Sequence, residues 1–171
     1  LGIRYGYIEQ LDDELLRISK ESFDALSFNC YALSPDHEKM NHALEISGLP
    51  MIIGEYHFGT VDRGLAQSLW QVNSQKERGD AFRYYTENAF AHRGLIGTGW
   101  FRWIDQNING RTDGENYNCG FIDVTDRPYP YMVDAAIETA KSLYEIHSGT
   151  KTPFHQTPNA VGHSPIPDPW E

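Results

Sequence analysis

The segment "LPMIIGEYHFGT", 49–60, sets a carboxylate, Glu55, at the end of a run built for burial, with Tyr56, His57 and Phe58 directly after it. An acid there has two readings. It caps the next segment or pairs with Arg4 or Arg102, or it is a reactive group. A carboxylate withdrawn from water needs donors, and Arg4, Asn29, Tyr31 and His57 are the side chains that could supply them. Held in that way it is aimed, as a nucleophile must be. His57 lies two positions on and shares the side of Glu55 if the strand continues. It is either a hydrogen-bonded spectator or a ligand contact. Trp100 follows "GTG", 97–99, where small residues leave space above a strand, so its indole is a candidate stacking platform. Trp103 reads as core. The segment "GRTDGENYNCGFIDV", 110–124, is a turn-rich loop whose acids and amides also suit hydrogen bonding to hydroxyls. Within it, Glu115 is the only other acid considered for proton transfer.

These residues need elements to position them. "LGIRYGY", 1–7, reads as a first strand and "DDELLRISKESF", 12–23, as a helix with acids in its first turn. "DALSFNCY", 24–31, is a second strand. "SPDHEKMNHALEISG", 34–48, is a helix with Ser34 as its cap, Pro35 in its first turn and Gly48 at its end. "PMIIGEY" is the third strand, and 74–94 the longest helix, stopped by Gly94. "LIGTGWFRWID", 95–105, is the fourth strand. The last helix, 129–149, has Val133, Ala136, Ile137, Ala140, Leu143 and Tyr144 as its expected inner stripe. Residues 150–171 form a proline-rich extension, either wrapping or loose.

The order β-α-β-α-β-α-β-α implies an α/β fold with parallel strands and right-handed crossovers. A closed eight-stranded barrel takes about 250 residues, so four units in 171 residues make half a barrel or a small open sheet. The Gly-rich phosphate fingerprints are absent, which disfavours a nucleotide-binding open sheet. Arg4, Asn29 with Tyr31, Glu55 with His57, and Trp100 with Arg102 and Asp105 all fall at or just past the carboxyl ends of successive strands. On a barrel that rim is where chemistry sits.

Composition narrows the partners. The chain is 22% charged and 40% apolar, neither disordered nor membranous. Its net charge of −10 argues against nucleic acid, whose phosphates demand basic surface. No apolar run approaches the length of a bilayer span. The first residues read as a buried strand and not as a leader, so the chain is expected to start inside a domain. Two cysteines are too few for a disulfide framework or structural zinc, and Cys30 reads as a small buried hydrophobe. Nothing near His57 offers a metal-ligating cluster, and the reading calls for neither metal nor cofactor. Ten Tyr, eight Phe and four Trp, several beside strand ends, suit a site that stacks flat, uncharged ligands.

The segments "LGIRYG", "DALSFNCY", "MIIGEYHFG", "GTGWFRWIDQ" and "GRTDGENYNCGFIDVTDRPYPYMVDAA" resemble the carboxyl-terminal half of clan A glycoside hydrolases. They are most similar to the β-agarases of glycoside hydrolase family 50, over roughly residues 1–149. The resemblance implies a (β/α)4 half of a TIM barrel, strands five to eight, and a retaining hydrolase of β-galactosidic bonds in agarose-type or related galactans. It carries the family's nucleophile onto Glu55, the residue beside the nucleophile onto Tyr31, the sugar-stacking Trp onto Trp100 and the arginine ending strand five onto Arg4. Asn29, His57, Asp105 and Glu115 complete the expected substrate-binding set. The family's general acid/base, a Glu preceded by Asn at the end of strand four, has no counterpart in this chain. Its absence implies that the other half is a separate polypeptide, that this chain is a fragment of a longer enzyme, or that it is no longer an enzyme. An isolated half-barrel would expose two sheet edges and its inner helix faces, so a partner is expected: an amino-terminal half-barrel polypeptide, or self-association. The resemblance also implies a secreted or periplasmic protein. The alternative function is a non-catalytic carbohydrate-binding or scaffold half that lacks the acid, and a third reading is an open α/β binding domain.

Overall fold

A computed structural model describes residues 2–163. Four strands form one parallel sheet: β1 (Arg4–Tyr5), β2 (Leu26–Asn29), β3 (Met51–Tyr56) and, later in the chain, β5 (Leu95–Trp100). Their order across the sheet is β1-β2-β3-β5, which is also their order in the chain. The expected alternation is therefore observed: helices α1 (Asp13–Ser22), α2 (His37–Ser47) and α3 (Gln75–Phe90) are the crossovers, and α4 (Pro130–His147) follows β5. No described helix is long and apolar enough to cross a membrane.

One face of the sheet is closed by the helices. Leu26, Phe28, Met51, Ile53 and Leu95 are all fully buried there. Tyr56, at the end of β3, stacks on Tyr85 of α3 with ring centroids 4.1 Å apart, and its hydroxyl shares a hydrogen bond with the Thr86 hydroxyl. Tyr85 in turn donates to the carbonyl of Cys30 at 2.6 Å, so α3 is pinned beneath the ends of both β2 and β3. Burying so many aromatics at one level fixes the height of those two strand ends.

Local chemistry sets the helix ends, and it differs from the sequence reading in places. Asp36, not Ser34, caps α2, because its carboxylate reaches the N–H groups of Glu38 and Lys39. Gly48 ends the helix at φ +67°, a conformation that suits glycine. Ser74 caps α3 by accepting from the Glu77 N–H. That helix stops at Phe90, short of Gly94. Along α4 the buried positions are Met132, Ala135, Thr139, Ser142 and Ile146, while Ile137 and Tyr144 are exposed. The expected stripe followed hydrophobicity. The observed one follows proximity: a Cβ placed on Gly79 of α3 would lie 2.5 Å from the Tyr131 carbonyl, so the two helices meet through small residues. Their contact is tied by buried Glu87, which accepts from Arg83 and Thr139.

A second, two-stranded antiparallel sheet pairs β4 (Trp70–Gln71) with β6 (Val161–Gly162). Part of the proline-rich extension is thus held in place. Its Phe154 N–H donates to Glu87 at 2.7 Å, and His163 N–H donates to the Leu69 carbonyl at 2.8 Å. Residues 164–171 of that extension lie outside the described residues.

Candidate active site

Glu55 sits near the end of β3, opposite Asn29 of β2, where the β2–β3 register shifts. Its side chain is 21% exposed and accepts from three neighbours. Arg4 Nη1 meets Oε1 at 2.8 Å. Tyr31 donates its hydroxyl to Oε2 at 2.9 Å, and Asn29 Nδ2 donates to the same oxygen at 3.3 Å. The sheet thus gathers Arg4, Asn29, Tyr31 and Glu55 from three consecutive strand ends. Gly54 makes this possible: a Cβ there would stand 2.7 Å from Arg4 Cδ, 3.1 Å from Ser27 Oγ and 3.3 Å from Asn29 Oδ1. Any side chain at position 54 would obstruct the path by which Arg4 crosses β2 to the carboxylate.

The Tyr31 hydroxyl is held well above the ordinary tyrosine range, first by burial and then by the Glu55 charge and hydrogen bond. It keeps its proton and acts as a donor. Its ring rests edge-on against His57 at 5.0 Å. His57 is 1% exposed. Its Nε2 accepts from the Leu69 N–H at 3.1 Å, which leaves Nδ1 to donate to the Phe101 carbonyl at 3.0 Å. Burial lowers its pKa to about 3, so the imidazole is neutral and both nitrogens are occupied.

A cavity of about 220 Å³ opens beside Glu55. Asn29, Tyr31, His57 and Glu115 line it, together with Tyr7, Leu69, Phe101 and Arg111. Glu115 is therefore brought to the same cavity as Glu55. Its Oε2 accepts from Gln106 at 2.7 Å and pairs with Arg111 at 3.2 Å.

Trp100 and Asp105 are not among the residues lining that cavity. The Trp100 indole packs against Tyr56, Phe82 and Phe121, and its N–H donates to the Cys119 carbonyl at 2.7 Å. Asp105 is 4% exposed. Its carboxylate accepts from Gly120 N–H and the Tyr129 hydroxyl, each at 2.6 Å, and from Asn118 at 2.8 Å. Burial consumes every bond this acid makes, so it braces loop 118–120. Arg78 completes the brace. It is fully buried, donating to the Gly120 carbonyl at 2.6 Å, to the Phe58 carbonyl at 3.2 Å and to Gln75 at 2.7 Å.

Four cavity residues escaped the sequence reading: Tyr7, Leu69, Phe101 and Arg111. Tyr7 was within reach, since it closes the same apolar stretch as Arg4. Arg111 carried a fainter signal, an isolated cation ahead of Asp113 and Glu115. Leu69 carried none, because loop folding alone brings it to the rim, whereas Phe101 directly follows β5 and its N–H donates to the Tyr56 carbonyl at 2.9 Å, so the strand end itself places it.

The chain that carries this site is similar in sequence and in fold to known proteins. The chain is 39% identical over 128 residues to beta-agarase A of Vibrio sp. (strain JT0107), a match covering 71% of this chain. It is homologous to a segment of the β-agarases. The agarase match spans 13% of that relative's length. Among solved structures, the agarase AgWH50C superposes with a TM-score of 0.75 at 37% identity, covering 80% of this chain and 21% of that one. An exo-beta-agarase gives the same TM-score at 36% identity, with 81% and 19% covered. No protein-family model matches the agarase-like chain. Its parallel α/β sheet with flanking helices is therefore the architecture of a segment of these agarases.

Proposed function

We propose that this chain is the nucleophile-bearing half, strands five to eight, of a (β/α)8 barrel, and that the complete assembly is a retaining glycoside hydrolase of β-galactosidic bonds in agarose-type galactans. The observation that carries the reading is the Glu55 carboxylate, held by Arg4, Asn29 and Tyr31 at a strand end and open to a cavity. The sheet order supports a barrel segment. Strands neighbour one another in chain order, with no reversal of the kind that makes a ligand crevice in an open doubly wound sheet. The agarase relatives supply the substrate class.

In this mechanism a Glu55 oxygen attacks the anomeric carbon as the glycosidic C–O bond breaks. A carboxylic acid from the completing half gives its proton to the departing oxygen. The same group, now a base, takes a proton from water, whose oxygen displaces Glu55 from the sugar. The second carboxyl group must stand about 5–5.5 Å from Glu55. Arg4, Asn29 and Tyr31 fix the attacking carboxylate and stabilise it each time it leaves the sugar. His57, neutral and doubly bonded, holds the Tyr31 ring and the Phe101 carbonyl. Trp100 and Asp105 act from behind, as wall and brace.

The decisive experiment is Glu55→Gln in the completed assembly. Turnover of galactan oligosaccharide should vanish while saccharide binding persists. Undiminished turnover rejects the assignment.

A further inference from the structure

Arg78 is fully buried, yet among the described residues none of its hydrogen bonds goes to a carboxylate. Nε donates to the Phe58 carbonyl at 3.2 Å and Nη2 to the Gly120 carbonyl at 2.6 Å. Nη1 donates to Gln75 Oε1 at 2.7 Å and to Asn118 Oδ1 at 3.3 Å. Its charge is answered at one remove. Asn118 donates to the Asp105 carboxylate at 2.8 Å. The Tyr129 ring, 5.0 Å from the guanidinium carbon, carries the hydroxyl that donates to the same carboxylate at 2.6 Å. Burial draws the Arg78 pKa below the ordinary arginine value, and Asp105 is the foremost of the charges that oppose this. An arginine stays a cation all the same.

A buried cation with no anion in contact costs folding free energy. The compensation lies in what it holds. β3 ends at Tyr56, and the residues directly after it are tied one by one. The His57 ring is tied to the Leu69 N–H and the Phe101 carbonyl. Phe58 is tied through its carbonyl to Arg78, and Gly59 through its N–H to the Trp70 carbonyl at 2.9 Å. Among these ties only the one from Arg78 comes from a helix. The same helix, α3, stacks Tyr85 on Tyr56 and bonds it through Thr86. It therefore grips the chain on both sides of His57, at Tyr56 and at Phe58. His57 in turn meets the Tyr31 ring at 5.0 Å, and Tyr31 donates to Glu55 at 2.9 Å. A guanidinium suits this place because one planar fork reaches two carbonyls on separate loops at once.

We infer that Arg78 is a positioning residue for the Glu55 carboxylate, acting through Phe58, His57 and Tyr31 without touching substrate. It does not line the Glu55 cavity. The inference rests on the function proposed above and adds to it a residue of α3 that stands behind the strand end.

The test isolates the attack by Glu55. The completed assembly is mixed with the dinitrophenyl β-glycoside of a galactan disaccharide that bears fluorine in place of the hydroxyl next to the reacting carbon. A Glu55 oxygen bonds to that carbon, the C–O bond to the leaving group breaks, and dinitrophenolate departs with the electron pair and needs no proton. Its release gives a trapping rate constant at saturation and a half-saturating concentration, and peptide mass gives the labelled residue. Arg78→Met should lower the rate constant about tenfold to a hundredfold, the effect of a misplaced reacting group, and leave the half-saturating concentration unchanged. Arg78→Lys keeps the charge and a donor, so it should regain part of the rate. A parental rate in Arg78→Met overturns the inference, as does a loss confined to affinity or a lysine variant no faster than the methionine one. Should Arg78→Met fail to fold, Arg78→Lys decides alone: slowed trapping at unchanged half-saturation supports the inference, and a parental rate overturns it. A parent assembly that carries no label on Glu55 rejects the catalytic reading itself, and with it the positioning role, an outcome distinct from any the Arg78 variants give.

Discussion

The histidine that follows the glutamate illustrates how burial decides what a residue does. His57 occupies a position from which a base could act, yet both ring nitrogens are engaged and its pKa is lowered to about 3 by burial, with the Arg78 charge adding to the effect. The unfolded chain therefore takes up a proton that the folded chain refuses. The stability contributed by neutral His57 is complete above about pH 6.5 and is lost as pH falls from there toward about 3. Between pH 7 and pH 5 this amounts to about 2 kcal/mol. His57→Gln keeps an acceptor for the Leu69 N–H but cannot titrate. It should be less stable at pH 7, yet lose about 2 kcal/mol less than the parent between pH 7 and pH 5, as measured by urea unfolding at each pH. Equal losses in both proteins would place the acid sensitivity elsewhere.

Among the elements, the α3–α4 pair shows small residues outcompeting large ones. Gly79 lies mid-helix, where alanine is favoured by about 1 kcal/mol on propensity alone. A methyl group there would meet the Tyr131 carbonyl at 2.5 Å and the Ala135 Cβ at 3.4 Å. Backbone cannot swing aside as a side chain can, so the helices must separate, at an overpacking cost of about 1–3 kcal/mol. Gly79→Ala should lower the melting temperature despite its better helix propensity, and a rise would show that the helices tolerate the shift. The same closeness explains why the α4 stripe was misassigned from its sequence. Ile137 and Tyr144 give the more apolar face, but the Ala135–Thr139–Ser142 face is the one that fits against α3.

At the scale of the molecule, β1 and β5 form the two edges of the parallel sheet. Exposed apolar side chains stand near each: Ile3 before β1, and Ile96 with Tyr144 beside β5, where a cavity of about 300 Å³ also takes in Phe90, Leu143 and His147. Unpaired edges next to apolar surface drive association. The isolated chain should sediment as concentration-dependent oligomers, and coexpression with the completing half should convert it to a one-to-one complex. A chain that stays monomeric at every concentration counts against the incomplete-barrel reading.

The alternation of strands and helices was legible in the sequence because burial periodicity and Gly, Ser and Pro punctuation are local properties. Glu55 was legible too, since an acid closing an apolar run stands out against its neighbours. Its donors Arg4, Asn29 and Tyr31 could be named because parallel strands bring their carboxyl ends to one rim. Tertiary structure alone decided which polar residues face the cavity and which are consumed in holding it. Asp105 and Glu115 look alike along the chain, yet one is buried under three hydrogen bonds while the other borders the cavity. Their difference arises from how the long loops fold over β3 and β5, through contacts between residues far apart in sequence, and no local pattern encodes that.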